Sequence, residues 1–380
     1  MKIAFVLSHV PNPRMYKRIN ALKELGDITV ICVRRLNQDV YSLINIENVE
    51  FRIKELIVPP FSKTMRRMWV NRRIASFITK SLNEIRPDII YTAGLDNLQI
   101  VYTYTKKHQA KVVYEVADLR ESFINNVPKS FCRRVMDSCI CTLERRYFSC
   151  IDTLVVTSRE FYNVHYTKFV VKEKLFELPN VPDLSAFKGF ERKTTGEFTI
   201  GFIGAIRYLS QMRLLIDASE KAGVKVFFAG GGSVEEEEWL LRSTQGKPWI
   251  EILGKYNYTR DIKTLYSKAD AIYSVYDADN PNVRIALPNK LYESVYCGLP
   301  IIVAKNTYLE RLVESWGVGV CTSHTSVNDL AACLERLRDD MSLRNRISDN
   351  CFKRKNEMDM SLYSDKLKNR IQELFETNCF

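Results

Sequence analysis

The stretch Leu287-Pro-Asn-Lys-Leu-Tyr-Glu-Ser-Val-Tyr-Cys-Gly-Leu-Pro-Ile-Ile-Val303 predicts a helix that leads into a buried strand. Pro288 suits the first turn of this helix, because the N–H that proline lacks has no helical partner there. Gly298 suits the end of the helix, and Pro300 precedes an apolar run that is typical of a strand. A helix that returns to an apolar strand is the repeating unit of a parallel α/β sheet.

Short apolar segments alternate with amphipathic segments along most of the chain. This alternation indicates βαβ units and two successive, similar α/β domains. The predicted strands span residues 2–7, 28–33, 49–53, 88–92, 111–115, 153–157, 198–203, 225–229, 250–253, 271–275, 300–304 and 319–321. The predicted helices of the first half span residues 14–25, 66–85, 98–108 and 131–148, and the chain after residue 326 is predicted to be helical.

The break between the domains is best placed in residues 178–196, which contain two prolines, several charges and no apolar period. We therefore expect a first domain over residues 1–183, a second over 197–355 and a C-terminal helix over 356–380. No strand is predicted between the last helical segments, so this helix must pack on a domain that is already built. The first domain is one surface available to it.

Composition places the chain among ordinary globular proteins. Its 380 residues are 46% hydrophobic and 27% charged, which excludes the disordered, collagen-like and coiled-coil classes. No stretch approaches the roughly 18 apolar residues of a membrane-spanning helix, and the opening apolar run is too short for a secretory signal. The ten cysteines form no CxxC pair and, with four histidines, no zinc-binding spacing. We expect a cytoplasmic protein with reduced cysteines and no metal site.

The net charge of +11 is confined to the first half of the chain. Residues 1–190 hold 30 Lys and Arg against 19 Asp and Glu, whereas residues 191–380 hold 26 of each. This asymmetry indicates an anionic partner for the first half, either nucleic acid or the anionic face of a membrane. No base-stacking or base-reading motif accompanies the charge, so we expect no nucleic-acid binding.

The segment Lys63–Lys80 concentrates this charge, with six cations and no acid. Arg66, Arg73 and Lys80 recur every seven residues on one face of the predicted helix, with Met68 and Trp69 among them. A basic face beside tryptophan and methionine suits a helix docked on an anionic bilayer. The alternative is a solvated helix of an ordinary domain.

Candidate ligand-binding residues follow the strands of the second half. Ligands of parallel sheets lie at the carboxyl ends of the strands, where helix N-termini attract phosphate. Gly204 follows the strand 198–203 and admits close approach of the backbone, and Arg207 can contact phosphate oxygens. Gly230 and Gly231 follow the next strand and fit a loop that lies against a flat ligand. The alternatives are a surface arginine and a flexible turn.

Lys290 and Glu293 lie in the first turns of the helix with which we began, one turn apart. A cation near a helix N-terminus opposes the helix dipole, so Lys290 is better explained by a bound anion that attracts both. Glu293, one turn deeper, is suited to accept hydrogen bonds from sugar hydroxyls. The alternative for this pair is an exposed salt bridge between residues three apart.

Short motifs occur in a fixed order along the chain: Pro11-Asn-Pro-Arg14, Pro87-Asp-Ile-Ile-Tyr91 with Gly94 and Asp96, Tyr114-Glu-Val-Ala-Asp118-Leu119, Val155-Val-Thr-Ser158, Leu178-Pro-Asn-Val181, Gly201-Phe-Ile-Gly204, Leu253-Gly254 and Pro288-Asn-Lys-Leu-Tyr-Glu293. In this order they resemble the retaining nucleotide-sugar glycosyltransferases with the GT-B fold, glycosyl transferases group 1. The resemblance is strongest to bacterial members that build capsule, exopolysaccharide or lipopolysaccharide, and it covers nearly the whole chain. It implies an α/β protein with two Rossmann-like domains, whose parallel sheets face each other across a cleft, and a helical C-terminal tail.

The resemblance also implies roles for individual residues. Glu293 matches the family's ribose ligand, whereas the family's other glutamate position holds Ile285. Ser210 occupies the usual place of a diphosphate-binding lysine, so Arg207 and Lys290 are the implied pair of cations on the diphosphate. The implied donor site includes Gly204, Gly230, Gly231, Tyr256 and Asn289. In the first domain, Asp118 or Asp96 is implied to orient the acceptor, with Ala117 where the family often has histidine.

The implied activity is the retaining transfer of a sugar from a UDP- or GDP-linked donor to a glycan acceptor, without metal or cofactor. A polyprenyl-diphosphate-linked acceptor at the inner face of the plasma membrane fits the basic segment. One alternative is a dinucleotide-dependent oxidoreductase, but Gly201-Phe-Ile-Gly204 lacks the G-x-G-x-x-G spacing. A second alternative is a degenerate GT-B protein that binds a glycan or a partner without turnover.

Overall fold

The computed structural model describes residues 1–36, 43–57, 64–119, 131–192 and 196–376, apart from the side chains of residues 64–67, 132 and 133. The chain forms two compact units. Unit 1 comprises Met1–Pro179 together with Ser361–Phe380, and unit 2 comprises Asn180–Met360.

Each unit is built on a parallel sheet. Among the described residues, the strands of unit 1 are β1 (Lys2–Leu7), β2 (Asp27–Arg35), β3 (Val49–Leu56), β4 (Ile89–Ala93), β5 (Lys111–Val116), β6 (Thr153–Val156) and β7 (Leu175–Glu177), in the order β3-β2-β1-β4-β5-β6-β7. Those of unit 2 are β8 (Thr199–Ile203), β9 (Lys225–Ala229), β10 (Ile250–Gly254), β11 (Ala271–Ser274), β12 (Ile301–Ala304) and β13 (Gly319–Thr322), in the order β10-β9-β8-β11-β12-β13. The central strands are almost entirely buried because helices cover both faces of such a sheet.

Helices connect the strands. They are α1 (Pro13–Leu22), α2 (Thr64–Ile85), α3 (Leu95–Thr105), α4 (Phe131–Phe148), α5 (Arg159–Val164), α6 (Leu209–Ala222), α7 (Val234–Thr244), α8 (Tyr258–Ser267), α9 (Pro281–Ile285), α10 (Asn289–Cys297), α11 (Tyr308–Trp316), α12 (Val327–Asp339), α13 (Met341–Arg354) and α14 (Met360–Glu376). Helix α10 begins directly after Pro288 and ends at Gly298, whose φ of 68° is left-handed. Both ends lie where the sequence places them.

Helix α14 completes the core of unit 1. Leu367, Ile371 and Leu374 lie one turn apart along α14 and are buried in one cluster with Ile3 and Ile19. At the edge of this contact, Lys368 Nζ lies 2.6 Å from a carboxylate oxygen of Glu24, and Arg370 Nε donates to Thr153 Oγ1 at 3.1 Å. The last helix is therefore an integral layer of unit 1.

The boundary between the units, after Pro179, falls within residues 178–196, the segment in which the sequence analysis placed the break. Unit 2 begins at Asn180, because the short segment Leu184–Phe187 packs into this unit. Leu184 and Phe187 are buried, and the Phe187 ring lies edge-on to Tyr266 at 5.1 Å between centroids. These apolar side chains explain why part of a segment rich in turn residues packs into unit 2.

Candidate functional site

Three loops lie side by side at the carboxyl edge of the unit 2 sheet. The N–H of Gly204 donates to Ala229 O at 2.8 Å, and the N–H of Gly230 donates to Gly254 O at 2.8 Å, so the hydrogen-bonding ladder continues past the strands. Gly204 and Gly230 have φ of 145° and 148°. A Cβ at Gly230 would lie 1.8 Å from the carbonyl oxygen of Gly204. Glycine is thus required here for backbone packing, which brings the loops after β8, β9 and β10 together.

Lys290 lies against the packed backbone at Gly204 and Gly230, which we call the glycine shelf. Its residue is only 7% exposed, and its Nζ donates to Tyr276 Oη at 2.7 Å. The ammonium also lies 4.8 Å from the ring centroid of Phe202 and 5.1 Å from that of Tyr276. A Cβ on Gly204 would be 3.0 Å from Nζ. The cation is therefore held by the Phe202 ring and by the ring and hydroxyl of Tyr276, at the place where the loops meet.

The salt-bridge alternative for Lys290 and Glu293 is wrong. Lys290 forms no ion pair within the described part of the chain, and both residues are buried rather than exposed. A buried cation without a carboxylate is costly unless other groups compensate it. The Lys290 ammonium is thus suited to attract an anion that enters the site.

Arg207 lies in the loop between β8 and α6, three residues after Gly204. Its side chain is exposed and makes no hydrogen bond or ion pair with the residues that the structure describes. The guanidinium is available to a phosphate that approaches the same loop.

Glu293 is buried, and its carboxylate is fixed by two tyrosines. Tyr258 Oη donates to Oε1 at 2.8 Å, and Tyr266 Oη donates to Oε2 at 2.5 Å. Burial, together with the charge of Glu293, raises the pKa of both tyrosines far above the usual value, so both remain donors. Burial and then Glu293 also raise the pKa of Tyr256 to about 12. Since a carboxylate offers about four acceptor positions, Glu293 retains capacity for further donors.

Asn289, the first residue of α10, is exposed, and its Oδ1 accepts a hydrogen bond from Asn180 Nδ2 at 3.3 Å. Ile285, at the position of the family's first glutamate, is 6% exposed and apolar. The carboxylate of that signature is replaced by packing. The carbonyl of Gly231 accepts a hydrogen bond from the N–H of Ile206 at 3.0 Å, which links the loop after β8 to the loop after β9.

The two aspartates proposed for the acceptor lie in unit 1. Asp96 is exposed in the first turn of α3, two residues after Gly94, and Asp118 follows β5. Although the Asp118 side chain reaches solvent, partial burial of its carboxyl raises its pKa, and the Arg14 guanidinium counteracts part of that rise. Both aspartates therefore lie after strands, in the loops at the carboxyl edge of the unit 1 sheet.

A buried charged cluster lies beside Asp118 and was not predicted from the sequence. Arg14 Nε lies 2.8 Å from Glu115 Oε1, Arg18 Nε lies 3.4 Å from Glu115 Oε2, and Tyr91 Oη also donates to this carboxylate. The Glu115 side chain is 0% exposed. The sequence contained two signs of this cluster: a glutamate inside the largely apolar strand 111–116, and two arginines four residues apart. The cluster fixes the Arg14 guanidinium next to Asp118.

The basic segment is helical from Thr64 to Ile85. Lys63 and the side chains of Arg66 and Arg67 lie outside the described residues. Met68 and Trp69 are 55% and 57% exposed, and the Arg73 guanidinium lies 4.7 Å from the Trp69 ring centroid. Within the ranges that the structure describes, no helix has the length and apolar character needed to cross a membrane.

Comparison with known proteins agrees with this architecture. Residues 185–354 match the model of the family Glycosyl transferases group 1. The succinoglycan biosynthesis protein ExoL of Rhizobium meliloti is 20% identical over 351 residues, which cover 88% of this chain and 84% of ExoL. The sucrose-phosphate synthase of Thermosynechococcus elongatus superposes with a TM-score of 0.74 at 14% identity, covering 99% of this chain and all of that one. The Anabaena protein HepE in complex with UDP superposes with a TM-score of 0.71 at 16% identity, covering 98% of this chain and 100% of HepE.

Two parallel α/β units of this topology, with a last helix returning to the first unit, define the GT-B fold. The resemblance inferred from the sequence is confirmed: residues 185–354 match the group 1 glycosyltransferase model, and the fold is that of GT-B enzymes.

Proposed function

We propose that this protein is a retaining glycosyltransferase that moves a sugar from a UDP- or GDP-linked donor to a glycan acceptor, in the synthesis of a surface polysaccharide. The relatives support this class, since ExoL is named for succinoglycan biosynthesis and HepE binds UDP. The observation that carries the proposal is the Lys290 ammonium, buried without a carboxylate beside the glycine shelf. An anionic diphosphate would supply the negative charge that this buried ammonium needs.

In this proposal, Lys290 and Arg207 hold the diphosphate of the donor. Glu293 accepts hydrogen bonds from the hydroxyls of its ribose, and the Asn289 amide can accept from or donate to them. Tyr256 and the backbone at Gly204, Gly230 and Gly231 line the nucleotide. Tyr276 positions the Lys290 ammonium, and Tyr258 and Tyr266 position the Glu293 carboxylate. Lys290 and Glu293 are thus fixed before the nucleotide binds.

In the proposed reaction, the protein stabilises charge and orients the acceptor, and none of its side chains forms a covalent bond to the sugar. The bond between the anomeric carbon and the diphosphate oxygen breaks, and negative charge develops on the leaving diphosphate next to the two cations. The acceptor hydroxyl attacks the anomeric carbon from the same side, and its proton passes to the departing diphosphate. Asp96 or Asp118 orients the acceptor hydroxyl. The negative charge that develops on the diphosphate is stabilised by these two cations and reduced when the diphosphate takes the acceptor proton, so we propose that neither metal nor cofactor is needed.

The proposed acceptor is linked to a polyprenyl diphosphate, and the protein meets it at the inner face of the plasma membrane. The basic face of α2 supports this, because Arg73 and Lys80 lie on it and Trp69 and Met68 are exposed beside them. We propose no nucleic-acid partner, because binding of a single strand uses a series of aromatic side chains on which successive bases stack, and Trp69 alone does not form one.

Thermal melting of the protein with nucleoside diphosphates tests the proposal, because a ligand that binds the folded state raises the melting temperature. We expect UDP or GDP to raise it and NAD and NADP to leave it unchanged. A rise with NAD or NADP alone would support an oxidoreductase instead. Nucleoside diphosphate binding without hydrolysis or transfer of any UDP- or GDP-sugar would support the degenerate binding protein.

A further inference from the structure

Helix α4 exposes an apolar stripe. Phe131, Val135 and Leu143 are 73%, 48% and 41% exposed, and Cys139 between them is also exposed. The four residues recur every four positions and so follow one side of the helix. Scattered apolar side chains are common on protein surfaces, but a continuous row over three turns is not.

The charges of α4 are divided between its two sides. Both of its acids are buried: Asp137 and Glu144 are 7% and 5% exposed, and Glu144 Oε2 lies 2.8 Å from His165 Nε2. Arg134 and Arg145 are exposed and have no ion-pair partner among the described residues. The outer side of α4 therefore combines apolar side chains with unpaired cations and presents no acid.

This outer side belongs to the same face of unit 1 as the basic helix α2. Helix α3 lies between them: Tyr104 Oη donates to Leu82 O of α2 at 3.3 Å, and the rings of Tyr102 and Tyr147 of α4 are 5.3 Å apart. Each of the three helices follows a strand of one parallel sheet, so their N-termini lie at its carboxyl edge. Trp69 of α2 and Phe131 of α4 thus both lie in the first turns at this edge.

We propose that α4 inserts its stripe into the acyl boundary of an anionic bilayer, while Arg134 and Arg145 contact the headgroups. This inference rests on the proposed membrane-bound acceptor. A helix that lies in the interface buries its apolar side by about 5–10 Å and gains both apolar burial and charge attraction. A second copy of the chain fits less well, because pairing of the two stripes would bring like charges together, whereas anionic headgroups neutralise them.

Sedimentation with vesicles tests the proposal. The test variant is Phe131→Ser, Val135→Ser and Leu143→Ser together. The matched control is Val234→Ser with Leu241→Ser on α7 of unit 2, which are 69% and 59% exposed. Vesicles of phosphatidylglycerol and phosphatidylethanolamine are compared with phosphatidylcholine vesicles, at low salt and at about 1 M salt, where the Debye length is about 3 Å.

We expect the wild type and the control to sediment with anionic vesicles at low salt and to retain part of this binding at high salt. The α4 variant should bind about tenfold more weakly or worse at high salt, with its UDP- or GDP-dependent melting shift unchanged. Equal binding of variant and wild type would overturn the proposal, as would absence of the wild type from the vesicle pellet at low salt. In either case a nucleotide-dependent melting shift would leave the proposed activity standing.

A second readout does not depend on replacing the stripe. A solvatochromic dye on Cys139 should shift to the blue when anionic vesicles are added. The labelled variant has serine in place of the partly exposed cysteines and of those whose side chains are not described, which are Cys132, Cys141, Cys150, Cys321, Cys333 and Cys379. A spectrum that stays unchanged while the protein sediments with the vesicles would overturn insertion of α4. A dimer in solution that the Phe131, Val135 and Leu143 substitutions dissociate would assign the stripe to a second copy instead.

Discussion

Lys290 illustrates how one residue depends on its surroundings. A buried ammonium loses its water, and the rings of Phe202 and Tyr276 with the Tyr276 hydroxyl replace only part of that hydration. A diphosphate oxygen would supply the missing negative charge. Arg207 is the opposite case, since an exposed guanidinium without a protein partner loses little when no ligand is present.

Replacing either cation should weaken the binding of diphosphates selectively. We expect Arg207→Ala and Lys290→Ala each to cost about 1.5–3 kcal/mol in nucleoside diphosphate affinity, because each removes a charge-assisted hydrogen bond. Affinity for the nucleoside should change much less. Calorimetric titrations with both ligands measure the difference, with Lys268→Ala, whose lysine pairs with Glu251 at 2.8 Å, as control. Equal losses for the two ligands would mean that these side chains do not contact the diphosphate.

Replacing Glu293 should affect the nucleoside as well. In Glu293→Gln the charge is lost, and the amide presents N–H groups to a tyrosine that also donates, so the side chain turns or the tyrosine loses its acceptor. We expect nucleoside and nucleoside diphosphate affinities to fall together, by about 1–3 kcal/mol. Tyr258→Phe keeps the carboxylate and removes one of its supports, so its loss should be smaller. Unchanged binding of uridine and guanosine ligands to Glu293→Gln would rule out the ribose contact.

Residue roles were predictable only where the partner is near in sequence or is a backbone feature. The positions of Gly204 and Lys290 follow from strand ends and helix starts. Tyr276, Tyr258 and Tyr266 could not be assigned, because they reach Lys290 and Glu293 only after separate strands and helices pack together. The ion pair between Arg14 and Glu115 was not predicted for the same reason, since about a hundred residues separate its members.

Elements were more predictable than contacts. The strands around the centre of each sheet are apolar runs bounded by turn residues, and such runs can be recognised as strands in the sequence. Strand β7 was missed because it has three residues, Leu175–Glu177, lies at the sheet edge and is only partly buried. Helix α5 was missed because its six residues are too few to show a helical period.

Helix α2 is the element on which a membrane test of the charge depends. Replacing Arg66, Arg73 and Lys80 with Gln should abolish most binding to anionic vesicles, because each cation near the surface contributes about 1 kcal/mol. The loss should be greatest at low salt, and neutral vesicles should bind poorly to both proteins. Vesicle sedimentation measures it, and nucleotide affinity of the variant should match the wild type. If this variant sediments like the wild type at low salt, α2 is an ordinary solvated helix.

At the scale of the whole molecule, the proposed reaction depends on protein cations rather than on a bound ion. Transfer or donor hydrolysis should therefore survive excess EDTA. Asp277, Asp279 and His324 are the side chains to test if it does not, because they form one of the described groups that could hold an ion and lie just beyond β11 and β13. Activity that is lost in EDTA and restored by Mn²⁺ or Mg²⁺ would contradict the proposed mechanism.

The return of α14 to unit 1 can be tested by stability. Ile371→Ala should lower the free energy of unfolding of unit 1 by about 2–5 kcal/mol, because Ile371 is fully buried in its core. Leu362→Ala on the same helix is the control, since Leu362 is 40% exposed. Chemical denaturation should show an earlier transition for Ile371→Ala only, while nucleoside diphosphate binding persists until unit 2 unfolds. Coincident curves for the two variants would mean that α14 adds little to the core.

That same return reverses the usual order in which a nascent chain matures. On the ribosome, residues 361–376 emerge only after all of unit 2, roughly 200 residues behind the last strand of unit 1. At about 5–20 residues per second, this interval lasts about 10–40 s. The apolar surface around Ile3, Ile19 and Leu22 is not covered by α14 during that time. The unit that is translated first is therefore completed last, and its exposed apolar surface is a site that chaperones would bind.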